Sequence, residues 1–280
     1  MEWSPGDRGN IEDRRGSSGG RAVPIGIGGF VVIALLSWAT GNNYFALLGS
    51  QDSSSSTASR APAQTTPQEE KAVDFVDAVA NDVQDSWQQA LGSRYQRTRV
   101  VLFRDAIDSA CGSAESATGP FYCPGDRKVY LDVSFFDELT RRFGAPGDFA
   151  KAYVIAHEFG HHVQHLLGID RGSRRGPATG AESASVALEL QADCLAGVWG
   201  HAASRNGTLK AGHVKLEAGD AEQALRAAAA IGDDRLQKMT TGRVMPDRFT
   251  HGTSAQRVAS FSRGMDSGDL AACGADRGTR

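Results

Sequence analysis

The sequence predicts a mainly helical α+β protein with one small β-sheet, preceded by a single transmembrane helix. Three observations lead there. Apolar residues recur at three- and four-residue spacing in several stretches, two short runs favour strands, and Ala22 to Gly41 passes twenty residues without a charge.

Met1 to Arg21 is rich in Gly, Ser, Asp and Arg and nearly free of apolar residues, so it is expected to be a disordered tail. The uncharged run that follows contains Phe30 to Leu36 and is long enough to cross a bilayer as a helix, with Trp38 and Tyr44 at interfacial positions. A cleaved signal peptide, with Ser37-Trp38-Ala39 as its cleavage site, and a buried core helix are the alternatives; the long charged leader and the low-complexity stretch from Ser50 to Gln68 speak against them. Arg8, Arg14, Arg15 and Arg21 precede the run and no Lys or Arg follows it until Arg60, which by the positive-inside rule puts the N-terminus in the cytoplasm and the bulk of the chain outside.

Folded sequence begins near residue 70, where Val73, Val76, Val79, Val83 and Trp87 mark one face of an amphipathic helix. Arg99 to Phe103 and Lys128 to Val133 are strand candidates separated by a loop-like stretch from Asp105 to Pro124. Ser134 is positioned to cap a short helix through Arg142, with Asp137 in the capping-box position. A central helix runs from an N-cap at Asp148 to a terminating Gly168, and another from Ala181 to Gly200. Asp220 and Gln223 open a further helix that Gly232 ends, and from Lys238 onward mostly loop surrounds one short helix near Ser254 to Arg263.

At 280 residues and a net charge of −3, with its Lys and Arg scattered, the chain suits one sizeable domain and lacks the basic field that nucleic acid requires. Its chemistry is concentrated in the central helix, at His157-Glu158-Phe159-Gly160-His161. Histidines four apart project from one helix face, about a turn apart, and suit two corners of a tetrahedral zinc site. Glu158 points about 100° away, close enough to the metal to act on water as general base. The pattern is the H-E-x-x-H signature of zinc peptidases.

A catalytic zinc needs a third protein ligand. The metzincin extension is excluded, because Gln164 and Leu167 stand where it requires Gly and His. His165 continues the helix face, but ligands spread over two turns put the outer α-carbons roughly 12 Å apart. It and His162 are expected to be polar surface or helix-end residues, and His201 and His213 carry no assigned role. Glu189 is the favoured ligand, with Asp193 one turn later able to accept a hydrogen bond from the outer nitrogen of a zinc-bound histidine. Both acids interrupt an apolar run beside Cys194, Leu195 and Trp199, where an unpaired carboxylate would be costly. Glu182 is the fallback.

The segments 119–124, 129–132, 149–164, 189–199 and 231–234, together with Asn10-Ile11-Glu12-Asp13-Arg14-Arg15-Gly16, resemble the neutral zinc metallopeptidase family of bacterial membrane-anchored proteins. That resemblance covers nearly the whole chain and implies a zincin-like fold with His157, His161 and Glu189 as ligands and Glu158 as base. Phe249-Thr250-His251-Gly252 and Arg257 are similar to the Thr-His-Pro and downstream Arg of the CaaX-protease-like zinc peptidases, with Gly252 in place of the proline. The similarity implies that His251 donates to an oxyanion and that Arg257 positions its segment; an ordinary loop histidine is the alternative.

Cys111 and Cys123 bracket a Gly-rich loop and form the natural first disulfide pair, leaving Cys194 to join Cys273, as an extracytoplasmic domain permits. The expected organisation is therefore a cytoplasmic tail (1–21), a transmembrane helix (22–41), a linker (42–69), a zinc metallopeptidase domain (70–275) and a short tail (276–280). The expected activity is Zn2+-dependent endopeptidase cleavage of peptide or protein substrates at the cell membrane, with the strand at Lys128 to Val133 as the edge on which a peptide lies. A zinc-stabilised envelope scaffold without turnover, and a metallohydrolase acting on non-peptide amides, are the competing readings.

Overall fold

The computed structural model describes residues 1–16, 65–116, 119–173 and 177–275. The transmembrane helix expected over 22–41, most of the linker and the tail 276–280 lie outside these residues. Among the described residues no helix is long and apolar enough to cross a membrane.

The N-terminal residues carry the first correction. Instead of a disordered tail, they form β1 (Glu2–Trp3) and β2 (Ile11–Asp13). The composition argument failed because this stretch folds on apolar and acidic surface supplied by the rest of the chain. Its main support is the helix α1 (Pro67–Leu91), which starts at a capping box of Thr66 with Glu69 and buries Val73, Val76, Val79, Val83 and Trp87. Trp3 packs edge-on against Phe75 of that helix, and Asn10 is buried against Asp77 and Gln84.

The strands β3 (Val100–Phe103), β4 (Ala106–Ser109), β5 (Gly112–Glu115), β6 (Phe121–Cys123) and β7 (Lys128–Asp132) follow. A four-stranded sheet runs β2-β3-β7-β6, parallel across its first three strands and antiparallel at β6. Strand periodicity divides β3 between two faces. Val100 and Leu102 join Val129 and Leu131 in the main core, while Val101 and Phe103 join Tyr130 and Cys123 in a smaller cluster with Ile107 and Phe121. The stretch expected to be loop is thus partly a β4–β5 hairpin. Its residues are mostly polar and exposed, so hydrophobic alternation could not announce it. The Cys111–Cys123 disulfide ties its turn to β6.

Helix α2 (Phe135–Arg141) precedes α3 (Asp148–Leu166), the central helix, which ends where Gly168 takes a left-handed φ of 72°. Neither Ser134 nor Asp148 makes the expected side-chain cap: Ser134 donates its own backbone N–H to Asp132, and Gly147 precedes α3 with Asp148 as its first residue. After α4 (Ile169–Ser173), helix α5 (Ala184–Ser204) starts at Ser183, whose hydroxyl accepts from the Val186 N–H. Strand β8 (Val214–Lys215) pairs antiparallel with β1. Helix α6 (Asp220–Ala230) follows, then α7 (Asp233–Thr241), whose last turn runs into the stretch from Lys238 expected to be mostly loop, and α8 (Ser254–Ser267), which opens on a Thr253–Gln256 capping box.

Helices α5 and α8 touch backbone to backbone. A Cβ at Gly264 would lie 1.9 Å from the Cys194 carbonyl oxygen, so any side chain there forces the pair apart. Gly264→Ala is expected to cost about 1–3 kcal/mol or more of stability, read as a lowered denaturation midpoint. The Cys194–Cys273 disulfide fastens α5 to the chain beyond α8.

Candidate metal centre

Helices α3 and α5 cross closely at Gly160, where an added Cβ would stand 3.0 Å from the Ala192 carbonyl oxygen. Ala192 is three residues after Glu189, so this close approach brings the acid to the histidine face of α3. One ligand atom from each of His157, His161 and Glu189 lies within 4.8 Å of the others. Nε2 of His157 is 3.1 Å from Glu189 Oε2, and Nε2 of His161 is 3.4 Å from Glu189 Oε1. Glu182 is exposed and not part of this group.

The outer nitrogens are both engaged. Asp193 Oδ1 lies 2.8 Å from His157 Nδ1, as expected, which leaves Nε2 of that ring as its lone-pair side. Asp193 is itself fully buried, accepting from the Tyr153 hydroxyl at 2.5 Å and from both Nε and Nη2 of Arg257 at 2.9 Å. His161 Nδ1 meets Gln164 Oε1 at 2.9 Å, and the Gln164 amide donates to the Leu188 carbonyl and to Gln191 Oε1. Sequence reasoning used Gln164 only to exclude the metzincin pattern; its place three residues after a ligand histidine, on the same face, was the signal for this second role. Gln164→Leu is expected to weaken zinc binding about 10–100-fold, measured by competition with a chromophoric chelator.

Charge in the pocket favours a cation. Burial pulls the His157 pKa down, but Asp193 and Glu189 outweigh it and raise it to about 10; His161 is likewise raised, with Glu189 overcoming burial. Burial pushes Glu189 up, yet the two imidazoles hold it well below the usual carboxylate range. A field that retains protons on two neighbouring rings also suits a divalent ion, and two imidazoles with one carboxylate are a zinc donor set. The residues fit the metal.

Glu158, 7% exposed, lines a cleft of about 540 Å³ together with the three candidate ligands. Burial raises its pKa above the usual carboxylate value. Phe121, Tyr122, Val154, Ile231 and Leu236 add apolar wall. His251 is about half exposed and lines the same cleft, with Nδ1 at 2.8 Å from the Thr250 hydroxyl and 3.3 Å from Asp233 Oδ1. Asp233 Oδ2 accepts the backbone N–H groups of Thr250, His251 and Gly252, fixing this loop. Gly252 has φ of 86°, which the ring of a proline cannot reach, so the loop departs here from the Thr-His-Pro pattern for a conformational reason. Arg257 does not hold the loop as expected. It is buried beneath Asp193, and Asp233 holds the loop instead.

His162 corrects another expectation. It is 1% exposed, not a surface residue, because position 162 falls beside Val163 on the core face that Ile155 and Phe159 begin. Its ring bridges β6 and the chain before β3, with Nδ1 accepting from the Tyr122 hydroxyl at 3.0 Å and Nε2 donating to the Gln96 carbonyl at 2.6 Å. Burial lowers its pKa to about 4. The unfolded ring, near 6.5, binds more protons between those values, so stability is full above about pH 6.5 and declines by about 3 kcal/mol as pH falls toward 4. Urea titrations of the protein and of His162→Gln across that window are expected to show the slope in the former and its loss in the latter. His165 stays at the helix end, its Nδ1 2.9 Å from Asp170.

The strand expected to be the peptide-binding edge is not an edge. β7 is paired on both sides, and the free strand beside the cleft is β6, which supplies Phe121 and Tyr122 to its wall.

Residues 1–275 match the model of the family described as "Putative neutral zinc metallopeptidase". The chain belongs to this family. It is 45% identical to "Uncharacterized protein YpfJ" of Escherichia coli strain K12 over 280 residues, covering 94% of each chain. It is also 46% identical over 200 residues to "Uncharacterized protein Rv2575" of Mycobacterium tuberculosis, covering 70% of this chain and 68% of the relative. No solved structure matches it. Membership extends through residues 1–16, in keeping with their place in the folded body of the chain.

Proposed function

We propose that this family member is a zinc-dependent endopeptidase of the cell envelope, attached to the membrane through the apolar sequence around 22–41. The observation that carries the catalytic part is the convergence of His157, His161 and Glu189 within 4.8 Å, with Glu158 on the same cleft. Held by these three residues, zinc supplies Lewis-acid chemistry, acidifying water and polarising a carbonyl. Glu158 is the general base: it takes the proton from the attacking water and passes it to the departing amine. Burial raises its pKa above the usual carboxylate value, which strengthens it as a base toward water.

Asp193 and Gln164 fix the two imidazoles so that each Nε2 faces the ligand position, and Tyr153 and Arg257 hold Asp193 in turn. His251 stands on the cleft, and with its Nδ1 accepting from the Thr250 hydroxyl at 2.8 Å its Nε2 carries the proton and can donate to an oxyanion. An extended peptide would add to the free edge of β6 through backbone hydrogen bonds. The two disulfides support an oxidising, extracytoplasmic location for the domain. Incubating the zinc-loaded protein with an unfolded protein and with cell-wall peptide fragments tests the substrate class. Internal cleavage of the unfolded chain supports an endopeptidase, whereas release of products from the cell-wall fragments alone would replace that reading with an amidase.

A further inference from the structure

The supports of the two imidazoles differ in where they lead. Asp193, which holds His157, is itself held by Tyr153 and Arg257 inside the same buried group. Gln164, which holds His161, passes its hydrogen bonds outward. Its side-chain amide donates to the Leu188 carbonyl at 2.7 Å and to Gln191 Oε1 at 3.0 Å, and the Gln191 amide donates in turn to the Cys273 carbonyl at 2.9 Å.

A backbone carbonyl can only accept, so this chain of bonds has a fixed sense. The Cys273 carbonyl requires the N–H side of Gln191, which turns Gln191 Oε1 toward Gln164. That oxygen and the Leu188 carbonyl take the two N–H groups of Gln164, and Gln164 Oε1 is left facing His161. An acceptor there obliges His161 Nδ1 to carry the ring proton. Its Nε2, 3.4 Å from Glu189 Oε1, then presents a lone pair to the metal position. Reversing either glutamine amide would set like groups against each other.

The far end of the relay is covalently fixed. Cys273 is the last residue of a 3-10 turn, Leu270–Cys273, where a carbonyl lacks a partner within the helix and Gln191 supplies a donor. The turn opens with Asp269 accepting the Ala271 N–H and closes with the Ala275 N–H donating to the Leu270 carbonyl. The Cys194–Cys273 disulfide joins it to α5, at a position three residues after Gln191 and on the same side of the helix. Both cysteines are buried. The bond therefore sets the Cys273 carbonyl within reach of Gln191.

Resting on the zinc centre proposed above, we infer that Gln191 is a positioning residue for His161, and that the Cys194–Cys273 disulfide acts on the metal through it by fixing the Cys273 carbonyl. Gln191 does not line the cleft, so it acts through Gln164 and His161 and not on the substrate.

The test measures zinc affinity of the full chain, by competition with a chromophoric chelator, in Gln191→Leu, in Cys194→Ala/Cys273→Ala and in the combination of the two. Each is expected to lower affinity by about 10-fold, and the combination by no more than the larger single effect, because both interrupt one relay. The visible absorption of the Co2+-substituted protein is expected to shift in Gln191→Leu, a change in coordination that lost stability alone would not produce. Gln191→Leu keeps both cysteines, so it decides the question even where the chain without the disulfide fails to fold. Unaltered affinity and absorption in Gln191→Leu, or losses that sum in the combination, would overturn the relay while the zinc centre stands. Absence of zinc binding by the unsubstituted protein would overturn the centre itself and the relay with it.

Discussion

Glu158→Gln is expected to retain zinc and lose cleavage by about 10²- to 10⁴-fold, the range that general acid–base catalysis contributes. The amide matches the carboxylate in size and can remain on the cleft wall, where Glu158 sits 7% exposed, so the three ligand residues are undisturbed. What it lacks is the basic oxygen that takes a proton from water. The effect should fall on kcat, since the residue handles a proton in the reaction and is assigned no part in holding the substrate. Measured metal content equal to that of the unchanged protein, with kcat reduced, is the expected pair of results. An undiminished kcat would remove Glu158 from the mechanism.

Glu189→Ala has the other large effect, and it acts on the metal. Glu189 faces both imidazoles, at 3.1 Å from His157 and 3.4 Å from His161, and it is the only carboxylate in the three-residue group found among the described residues. Removing it takes away one ligand and the negative charge that draws a cation to the pocket. Zinc binding should weaken by more than the about 10–100-fold associated with losing an outer hydrogen-bond partner, and cleavage should fall with it. Added zinc should not restore activity at concentrations that saturate the unchanged protein. A full complement of zinc in Glu189→Ala would show that another residue is the third ligand.

The parts of this site that were legible in the sequence are those that helical spacing controls. His157 and His161 share a face at four residues, as do Glu189 and Asp193, and the full burial of Asp193 followed from the apolar residues around it, while Glu189 stays partly exposed at the cleft. The two disulfide pairs were readable because one pair brackets a short loop and fixes the other by subtraction. Legibility ended where a residue's role depends on a partner distant in sequence. Gln164 reaches across to the Leu188 carbonyl, Asp233 gathers three N–H groups of the 250–252 loop, and His162 links Tyr122 to Gln96. Nothing in local spacing encodes those partners.

The N-terminus shows the same limit on a larger scale. Judged by its own composition, Met1 to Arg21 lacks the apolar surface to fold. Yet Asn10 and Arg15 are buried because α1 brings Asp77, Gln84 and Glu70 to them. The β4–β5 hairpin was missed for a related reason, since a disulfide and backbone pairing hold it more than buried side chains do. Strand order is likewise a property of the assembled sheet: β7 gave a clear strand signal, but only the pairing shows that β6 is the free edge at the cleft.

The central claim is that His157, His161 and Glu189 hold one zinc ion that hydrolysis requires. It is tested most directly by following metal content and cleavage of an unfolded protein in the same preparation through chelation and zinc readdition. The expected result is one zinc per chain, loss of cleavage in step with loss of metal, and recovery of both when zinc is returned. Cleavage that persists after the metal has been removed, or a protein that binds no zinc, would contradict it.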